Sequence, residues 1–250
     1  MALIGVIAGT GFYNLPALAG RESRVVETTY GTAKVTDGSW NGVEILFLTR
    51  HGSDHSVPPQ AINYRANIQA LKDCKVDYIV AVNVVGGIDP TLKPGDLQLV
   101  DDFVDFTSGR AHTFFDGIQP DGVQHVDVMD CYDSDVKDAL SQSASHLGIP
   151  LRTGGVYAGF NGPRFETPAE IRFAALAGAT VVGMTGCPEV SLAREAGLRY
   201  GAIALIVNPA AGLSPIPITT DEISRVLSET SSRVVQIIEG ALPILARKVG

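Results

Sequence analysis

The stretch Tyr78-Ile79-Val80-Ala81-Val82-Asn83-Val84-Val85-Gly86-Gly87 has the character of a buried β-strand that ends in a double glycine. Its run of Val, Ile and Ala is typical of a strand inside a packed sheet. Similar short apolar runs recur along the chain. They predict strands at Leu3–Ile7, Val43–Leu48, Tyr78–Val85, Gly155–Ala158, Val181–Gly183 and Ala202–Val207.

Segments of helical period lie between these runs. Thr167 can cap a helix, Pro168 fits its first position, Glu170 completes a capping box and Gly178 supplies a stop. A second capping pattern, 219–222, begins a long amphipathic helix. Weaker patterns predict helices over about 60–72 and 133–147. Strand and helix alternate without a linker, so we expect a single α/β domain over residues 1–250, with a mainly parallel or mixed central sheet.

The composition argues against several classes of protein. Of the 250 residues, 45% are hydrophobic and 18% charged, which is a globular composition and not a disordered one. The net charge of −8 disfavours nucleic acid and anionic membranes as partners. The three cysteines lack a Cys-x-x-Cys pattern, the first residues lack a basic leader region, and no apolar run is long enough for a membrane span. We therefore expect a cytoplasmic protein.

The loops after the strands are the places to look for a ligand site. Gly9-Thr10-Gly11 follows the first strand and offers backbone N–H groups and a hydroxyl to an anion, although a plain turn would look the same. A dinucleotide fingerprint needs a third glycine where the chain has Asn14. Gly86 and Gly87 would let a ligand approach the backbone, or would serve close packing of the chain.

Arg50 and His51 follow the second predicted strand, and together they can clamp an anion. His55 forms an H-x-x-x-H spacing with His51, which would suit zinc only on a helix. Gly52, Ser53 and two nearby prolines oppose a helix there, and no third ligand follows. We expect no metal site.

Later loops carry residues suited to a planar ring. Phe165 can lie against such a ring, while Glu166 and Asn208 can read its edge. Taken singly, Phe165 also suits the core, Glu166 the N-terminus of a helix, and Asn208 a turn. Cys187 has no nearby His in sequence and is expected to be a buried, inert thiol.

Taken together and in order, these segments resemble the trimeric purine nucleoside phosphorylase and methylthioadenosine phosphorylase family over nearly the full length. The blocks that carry the resemblance are Gly9–Gly11, Arg50–Gly52, Asn63–Asn67, Gly86–Gly87, Lys93–Asp96, Gly162–Phe165, Gly183–Thr185 and Pro188–Val190. Within the family, the block Val207–Gly212 is most similar to bacterial S-methyl-5'-thioinosine phosphorylases. The resemblance implies one α/β domain with a mixed, partly barrelled central sheet surrounded by helices, assembled as a homotrimer.

The resemblance also assigns roles to individual residues. It implies that phosphate is bound by Thr10, Arg50, His51, the backbone at Val84 and the Thr185 hydroxyl. It places the ribose near the main chain of Met184 and the purine between Phe165 and the loop of Asn208. It further implies that Ile223, with His125 from a neighbouring subunit, surrounds the 5' end of the sugar. No metal or organic cofactor is implied, and inorganic phosphate is a co-substrate.

The base can be predicted from these side chains. Family members that cleave adenine nucleosides carry Asp at positions 208 and 210 and a small residue at position 166. Here Glu166 can accept a hydrogen bond from N1–H of a 6-oxopurine, and Asn208 can donate to O6 or N7. These two residues, together with His51 from the phosphate site that the resemblance implies, are the expected catalytic residues.

The residues expected around the 5' end of the sugar favour a thioether substituent there. Members that cleave ordinary nucleosides bind the 5'-hydroxyl with a His in the C-terminal helix, but this chain has no His after His146. An apolar 5'-methylthio group fits better. The expected reaction is phosphorolysis of 5'-methylthioinosine. The alternatives are a methylthioadenosine phosphorylase, a general inosine and guanosine phosphorylase, a non-catalytic purine or phosphate binding protein, and a nicotinamide-dependent oxidoreductase.

Overall fold

A computed structural model describes residues 2–12, 15–52, 56–118 and 122–249. Asn14, Ser53 and His55, on which parts of the sequence argument depend, lie outside these ranges. The strands are β1 (Leu3–Ala8), β2 (Ser23–Thr28), β3 (Gly31–Trp40), β4 (Val43–Thr49), β5 (Tyr78–Gly87), β6 (Leu97–Asp105), β7 (Arg152–Gly159), β8 (Val181–Gly183) and β9 (Arg199–Pro209). The helices are α1 (Tyr64–Asp73), α2 (Ser134–Leu147), α3 (Pro168–Leu176), α4 (Gly186–Glu195) and α5 (Thr220–Ala246).

Strand β5 joins two parts of one mixed sheet. Strands β5, β8, β7, β6 and β9 are hydrogen-bonded in that order, and β9 pairs again with β5, so these five strands form a closed barrel. On its other side β5 pairs in parallel with β1, and the sheet continues through β4 and β3 to β2 as an open wing. The predicted α/β fold with a mixed, partly barrelled sheet is confirmed.

Alternation along β5 divides the core between two faces. Tyr78, Val80 and Val82 lie in one hydrophobic cluster with residues of α2 and α5. Ile79 and Ala81 lie in the other cluster with residues of α1 and α4. All five side chains are buried, because successive side chains of a strand point to opposite faces and helices cover both.

The local signals for helices agree with the structure. The capping box at Thr167 is complete, since its side chain accepts from the N–H of Glu170 and the Glu170 side chain accepts in return from the N–H of Thr167. Thr219 caps α5, and Asp133 caps α2. The helix predicted from about residue 60 begins later, because Pro59–Ala61 forms a 3-10 turn and Asn63 caps α1.

Four elements were not predicted: β2, β3, β6 and α4. Strands β2 and β3 pair as an antiparallel hairpin with many exposed polar residues, so they lack a continuous apolar run. Helix α4 has a glycine and a proline within its first turn, where Cys187 and Pro188 depart from helical geometry. Among the described helices, none is both long and apolar enough to cross a membrane.

Candidate active site

A cavity of about 540 Å³ opens where the strands of the sheet end. Strands β1 and β9 run parallel to β5, and β4 runs parallel to β1. The carboxyl ends of these four strands therefore meet at one edge of the sheet. Ten of the residues predicted for the site lie on the cavity wall: Thr10, Arg50, His51, Val84, Phe165, Glu166, Met184, Thr185, Asn208 and Ile223. Their individual roles stay predictions.

The guanidinium of Arg50 is bound on one edge by a carboxylate that the sequence argument did not use. Nε and Nη2 of Arg50 each lie 2.6 Å from an oxygen of Glu189, and Nη1 donates to the carbonyl of Val82 at 2.7 Å. The hydroxyl of Tyr200 donates to the same carboxylate at 2.7 Å. The side chains of Arg50 and Glu189 are each only 1% exposed.

This ion pair keeps Arg50 charged. Burial by itself lowers the pKa of a guanidinium, but the adjacent Glu189 carboxylate outweighs burial and raises the pKa of Arg50. Glu189 belongs to the block 188–190 that carried part of the resemblance, yet it stands 139 residues from Arg50. Sequence spacing alone offers no signal for this contact.

His51 is oriented by the backbone. Its Nδ1 lies 2.8 Å from the carbonyl oxygen of Val57. Because a carbonyl only accepts, Nδ1 carries a proton and donates it. The other edge of the ring faces Gly9, where a Cβ atom would lie 3.1 Å from Cδ2 and 3.4 Å from Nε2. Gly9 thus leaves room for the imidazole on the cavity wall.

Thr185 stands at the beginning of α4, in a turn held by Tyr157. The backbone N–H groups of Thr185 and Gly186 both donate to the Tyr157 hydroxyl at 3.0 Å. A Cβ atom on Gly183 would lie 2.5 Å from that hydroxyl. The amide of Asn83 lies 3.4 Å from the Thr185 hydroxyl. The tyrosine therefore fixes the turn that presents Met184 and Thr185 to the cavity.

Three other residues of the cavity wall carry groups suited to a base. Glu166 is buried, at 8% exposure, and this desolvation raises the pKa of its carboxyl. Asn208 is also buried, and its Nδ2 donates to the carbonyl of Pro209 at 2.7 Å. Phe165 is 43% exposed on the cavity wall, so it is not a core residue. A carboxylate, a carboxamide and an aromatic ring are thus available to one planar ligand.

The third part of the wall is mostly apolar. Ile223 and Thr220, from the first turn of α5, share the cavity with Val57, Pro58 and Pro59. His125 lies on an exposed segment and is not part of the cavity wall of its own chain.

Two further features of the described residues concern metal ligands and a thiol. No group of three His, Cys, Asp or Glu residues there could hold a metal ion. Cys187 is buried, as expected, and burial raises the pKa of its thiol well above the usual range. This thiol is unsuited to act as a nucleophile.

Known phosphorylases are similar to this chain over almost its whole length. Residues 3–243 match the family model described as the phosphorylase superfamily. The chain is 44% identical over 245 residues to a probable 6-oxopurine nucleoside phosphorylase of Moorella thermoacetica, covering 98% of this chain and 94% of the relative. It is 43% identical over 237 residues to a probable S-methyl-5'-thioinosine phosphorylase of Pseudomonas syringae pv. tomato, covering 94% and 96%.

A solved structure is also similar over almost the whole chain. The methylthioadenosine phosphorylase of Schistosoma mansoni in complex with adenine aligns with a TM-score of 0.91 at 31% identity, covering 99% of this chain and 93% of that one. The relationship that the sequence blocks predicted is confirmed. The chain belongs to the phosphorylase superfamily and is an enzyme of its purine nucleoside phosphorylase and methylthioadenosine phosphorylase family.

Proposed function

We propose that this purine nucleoside phosphorylase cleaves S-methyl-5'-thioinosine with phosphate, giving hypoxanthine and 5-methylthioribose 1-phosphate. One observation carries the proposal: buried Glu166 and Asn208 lie on the same cavity wall as the apolar residues at the 5' end. A carboxylate matches the N1–H of a 6-oxopurine, and the amide matches O6 or N7. Adenine instead presents an unprotonated N1 to the carboxylate, which leaves both acceptors without a proton.

The proposed reaction is a displacement at the anomeric carbon. Phosphate oxygen forms the new C1–O bond while the C1–N9 bond breaks, and the electron pair of that bond leaves with the purine. Asn208 stabilises the developing negative charge by donating to N7 or O6, and Glu166 keeps the ring in register. Thr10, Arg50, His51 and Thr185 orient the phosphate, whose negative charge faces the cationic sugar.

The proposal also covers the location and the assembly of the enzyme. We propose that it acts as a cytoplasmic homotrimer in which His125 of a neighbouring subunit approaches the 5' end of the sugar. Phosphate and nucleoside are the only small molecules that the reaction needs, so no metal or organic cofactor takes part.

A second candidate is the phosphorolysis of ordinary 6-oxopurine nucleosides such as inosine. The exposed hydroxyl of Thr220 on the cavity wall favours it, because a hydroxyl can bond the 5'-hydroxyl that a purely apolar pocket would leave unpaired. The 44% identical relative also bears the name of a probable 6-oxopurine nucleoside phosphorylase.

A nucleoside panel separates these possibilities. Base release from methylthioinosine, inosine and methylthioadenosine is measured with and without phosphate, and kcat/KM is compared. The proposal expects phosphate-dependent release with methylthioinosine preferred over both others. Equal or better use of inosine would favour the second candidate, and preference for methylthioadenosine would overturn the assignment of Glu166 and Asn208.

A variant tests the base assignment directly. Asn208→Asp replaces a donor by an acceptor that matches the N6 amino group of adenine. We expect the ratio of kcat/KM values for methylthioinosine and methylthioadenosine to shift toward the adenine nucleoside. An unchanged ratio would show that position 208 does not read the purine.

A further inference from the structure

The ion pair behind the phosphate end of the cavity has a role that the proposed reaction does not yet use. We propose that Glu189 is a positioning residue for phosphate: it holds one edge of the Arg50 guanidinium so that the remaining N–H bonds are presented to phosphate in a fixed orientation. The inference rests on the proposed phosphorolysis and extends it to a residue that does not touch the substrate.

The hydrogen bonds of Arg50 support this role. A guanidinium carries five N–H donors in a rigid plane. Nε, one N–H of Nη2 and one N–H of Nη1 are used by Glu189 and by the carbonyl of Val82. One N–H on each terminal nitrogen is left by these contacts, and Arg50 lies on the cavity wall. These two N–H bonds are available to the oxygens of phosphate.

The network fixes the carboxylate as well as the guanidinium. Tyr200 donates to the Glu189 oxygen that also accepts from Nη2 of Arg50. Tyr200 is 1% exposed and belongs to β9, whereas Glu189 belongs to α4 and Arg50 follows β4. Residues from three parts of the fold therefore converge on one network of charge-assisted hydrogen bonds.

The charges of Arg50 and Glu189 favour a role for this ion pair in orienting phosphate. Glu189 and Arg50 are opposite charges in contact and buried, so the pair presents little net charge to the cavity. Phosphate is thus held by directed donors more than by excess positive charge, and it retains its own negative charge for the cationic sugar.

The central variant is Glu189→Gln. The carboxamide keeps the shape but offers one acceptor oxygen, and its NH₂ group faces an N–H of Arg50 or the Tyr200 hydroxyl. We expect the KM for phosphate to rise about tenfold or more, because a small misplacement of a bidentate group is costly. The dissociation constant of the nucleoside in the absence of phosphate should not change. If Glu189 merely offset the charge of Arg50, its removal would instead lower the KM for phosphate, and that result would overturn the proposal.

A matched control uses the same substitution in the same helix. Glu195 accepts from the Thr113 hydroxyl and from the N–H of Phe114, and it is not part of the cavity wall. Glu195→Gln should leave the KM for phosphate unchanged. An equal rise in both variants would mean that the effect comes from a general disturbance of α4, and the proposal would be wrong.

A double-mutant cycle tests whether Glu189 acts through Arg50. In an Arg50→Met background, adding Glu189→Gln should have no further effect on the KM for phosphate. It should also restore stability, because the first substitution alone leaves a buried carboxylate without its cation. A further rise in the KM for phosphate would show that Glu189 acts independently of Arg50.

Two milder variants keep the test open if Glu189→Gln does not fold. Tyr200→Phe removes one hydrogen bond to the carboxylate and should raise the KM for phosphate by a smaller factor. Glu189→Asp withdraws the carboxylate by one methylene and should also raise the KM for phosphate by a smaller factor. An unchanged KM in both folded variants would overturn the proposal. Loss of all phosphate-dependent base release in the unsubstituted enzyme would overturn the proposed function instead, so the two failures are distinguishable.

Discussion

The side chain of Asn208 is anchored by the backbone of the next residue. One N–H of its amide donates to the carbonyl of Pro209. Gly86 lies close to this amide, and a Cβ atom at position 86 would be 3.4 Å from Nδ2. An amide fixed in this way is a preorganised donor, which is what a leaving purine needs at the moment negative charge develops.

We therefore expect Asn208→Ala to lower kcat for methylthioinosine by about two orders of magnitude, the scale of removing one preorganised donor. The measurement is steady-state base release at saturating phosphate. Asn41→Ala serves as the control, because Asn41 is exposed and bonds the carbonyl of Glu239 far along the chain. Undiminished turnover in Asn208→Ala would exclude the role assigned to Asn208.

The role proposed for Glu166 makes the reaction dependent on pH. Burial raises the pKa of its carboxyl above the ordinary value of 4.5. The base must meet the ionised form, so kcat/KM for a 6-oxopurine nucleoside should fall as the pH is lowered through this raised pKa. A pH profile measures it. Glu166→Gln should lose this acidic limb, and a profile identical to that of the unsubstituted enzyme would contradict the prediction.

The same shift affects stability with the opposite sign. The folded protein holds the Glu166 proton to a higher pH than the unfolded chain, so stability falls as pH rises through the window between the two pKa values. Glu166→Gln should therefore raise the Tm at neutral pH and change it little in acid below the ordinary pKa. Glu22→Gln, at an exposed position, is the control. A Tm difference that does not vary with pH would disprove this linkage.

At the scale of elements, the beginning of α4 depends on a residue from another strand. The Tyr157 hydroxyl, from β7, accepts the first two N–H groups of the turn at Thr185 and Gly186. A side chain distant in sequence thus replaces the local cap that α3 obtains from Thr167.

Tyr157→Phe should destabilise the protein by about 1–3 kcal/mol, the cost of leaving buried donors unpaired. Because the turn carries Thr185, the KM for phosphate should rise as well. Denaturant unfolding and steady-state kinetics provide the two measurements. The control is Tyr132→Phe, a buried tyrosine that packs against Tyr200. A stability loss no larger than in the control would refute the capping role.

The success of prediction from sequence differs between these elements for a physical reason. The capped helix at Thr167 and the apolar strand at Tyr78 are specified by neighbouring residues, so they could be predicted. The closure of the barrel by pairing of β5 with β9 joins residues more than a hundred positions apart, and no local pattern encodes it. The same holds for the Arg50–Glu189 pair. Seven of the ten cavity residues lie within the quoted family blocks. The other three, Val84, Glu166 and Ile223, lie outside the blocks and were assigned from the resemblance as a whole.

At the scale of the whole molecule, the proposed trimer makes each site depend on two chains. His125 is exposed and not part of the cavity wall of its own chain. The proposal brings it into the pocket of a neighbouring subunit. His125→Ala should lower kcat/KM for methylthioinosine about tenfold, the scale of one lost packing contact around an apolar group.

Mixed assemblies test the shared site. His125→Ala and Asn208→Ala subunits are co-expressed, and heteromers are purified through two different tags. Some sites then combine an intact Asn208 with a neighbour's intact His125, so the heteromers should be more active than the averaged activity of the two parents. Sedimentation should give the mass of three chains. Activity equal to that average, or a monomeric mass, would refute the shared site.

Strand β5 pairs with both the wing and the barrel. Its position therefore sets the distance between the residues proposed to bind phosphate and the residue proposed to bind the purine. Thr10, Arg50 and His51 follow wing strands, whereas Asn208 ends a barrel strand, and β1, β5 and β9 lie side by side. Neighbouring strands are held roughly 4.8 Å apart by their hydrogen bonds. In the proposed reaction, the distance from phosphate to purine is therefore set by the spacing of hydrogen-bonded strands. An inhibitor that links a phosphate mimic to a purine mimic through a rigid spacer has to match that distance.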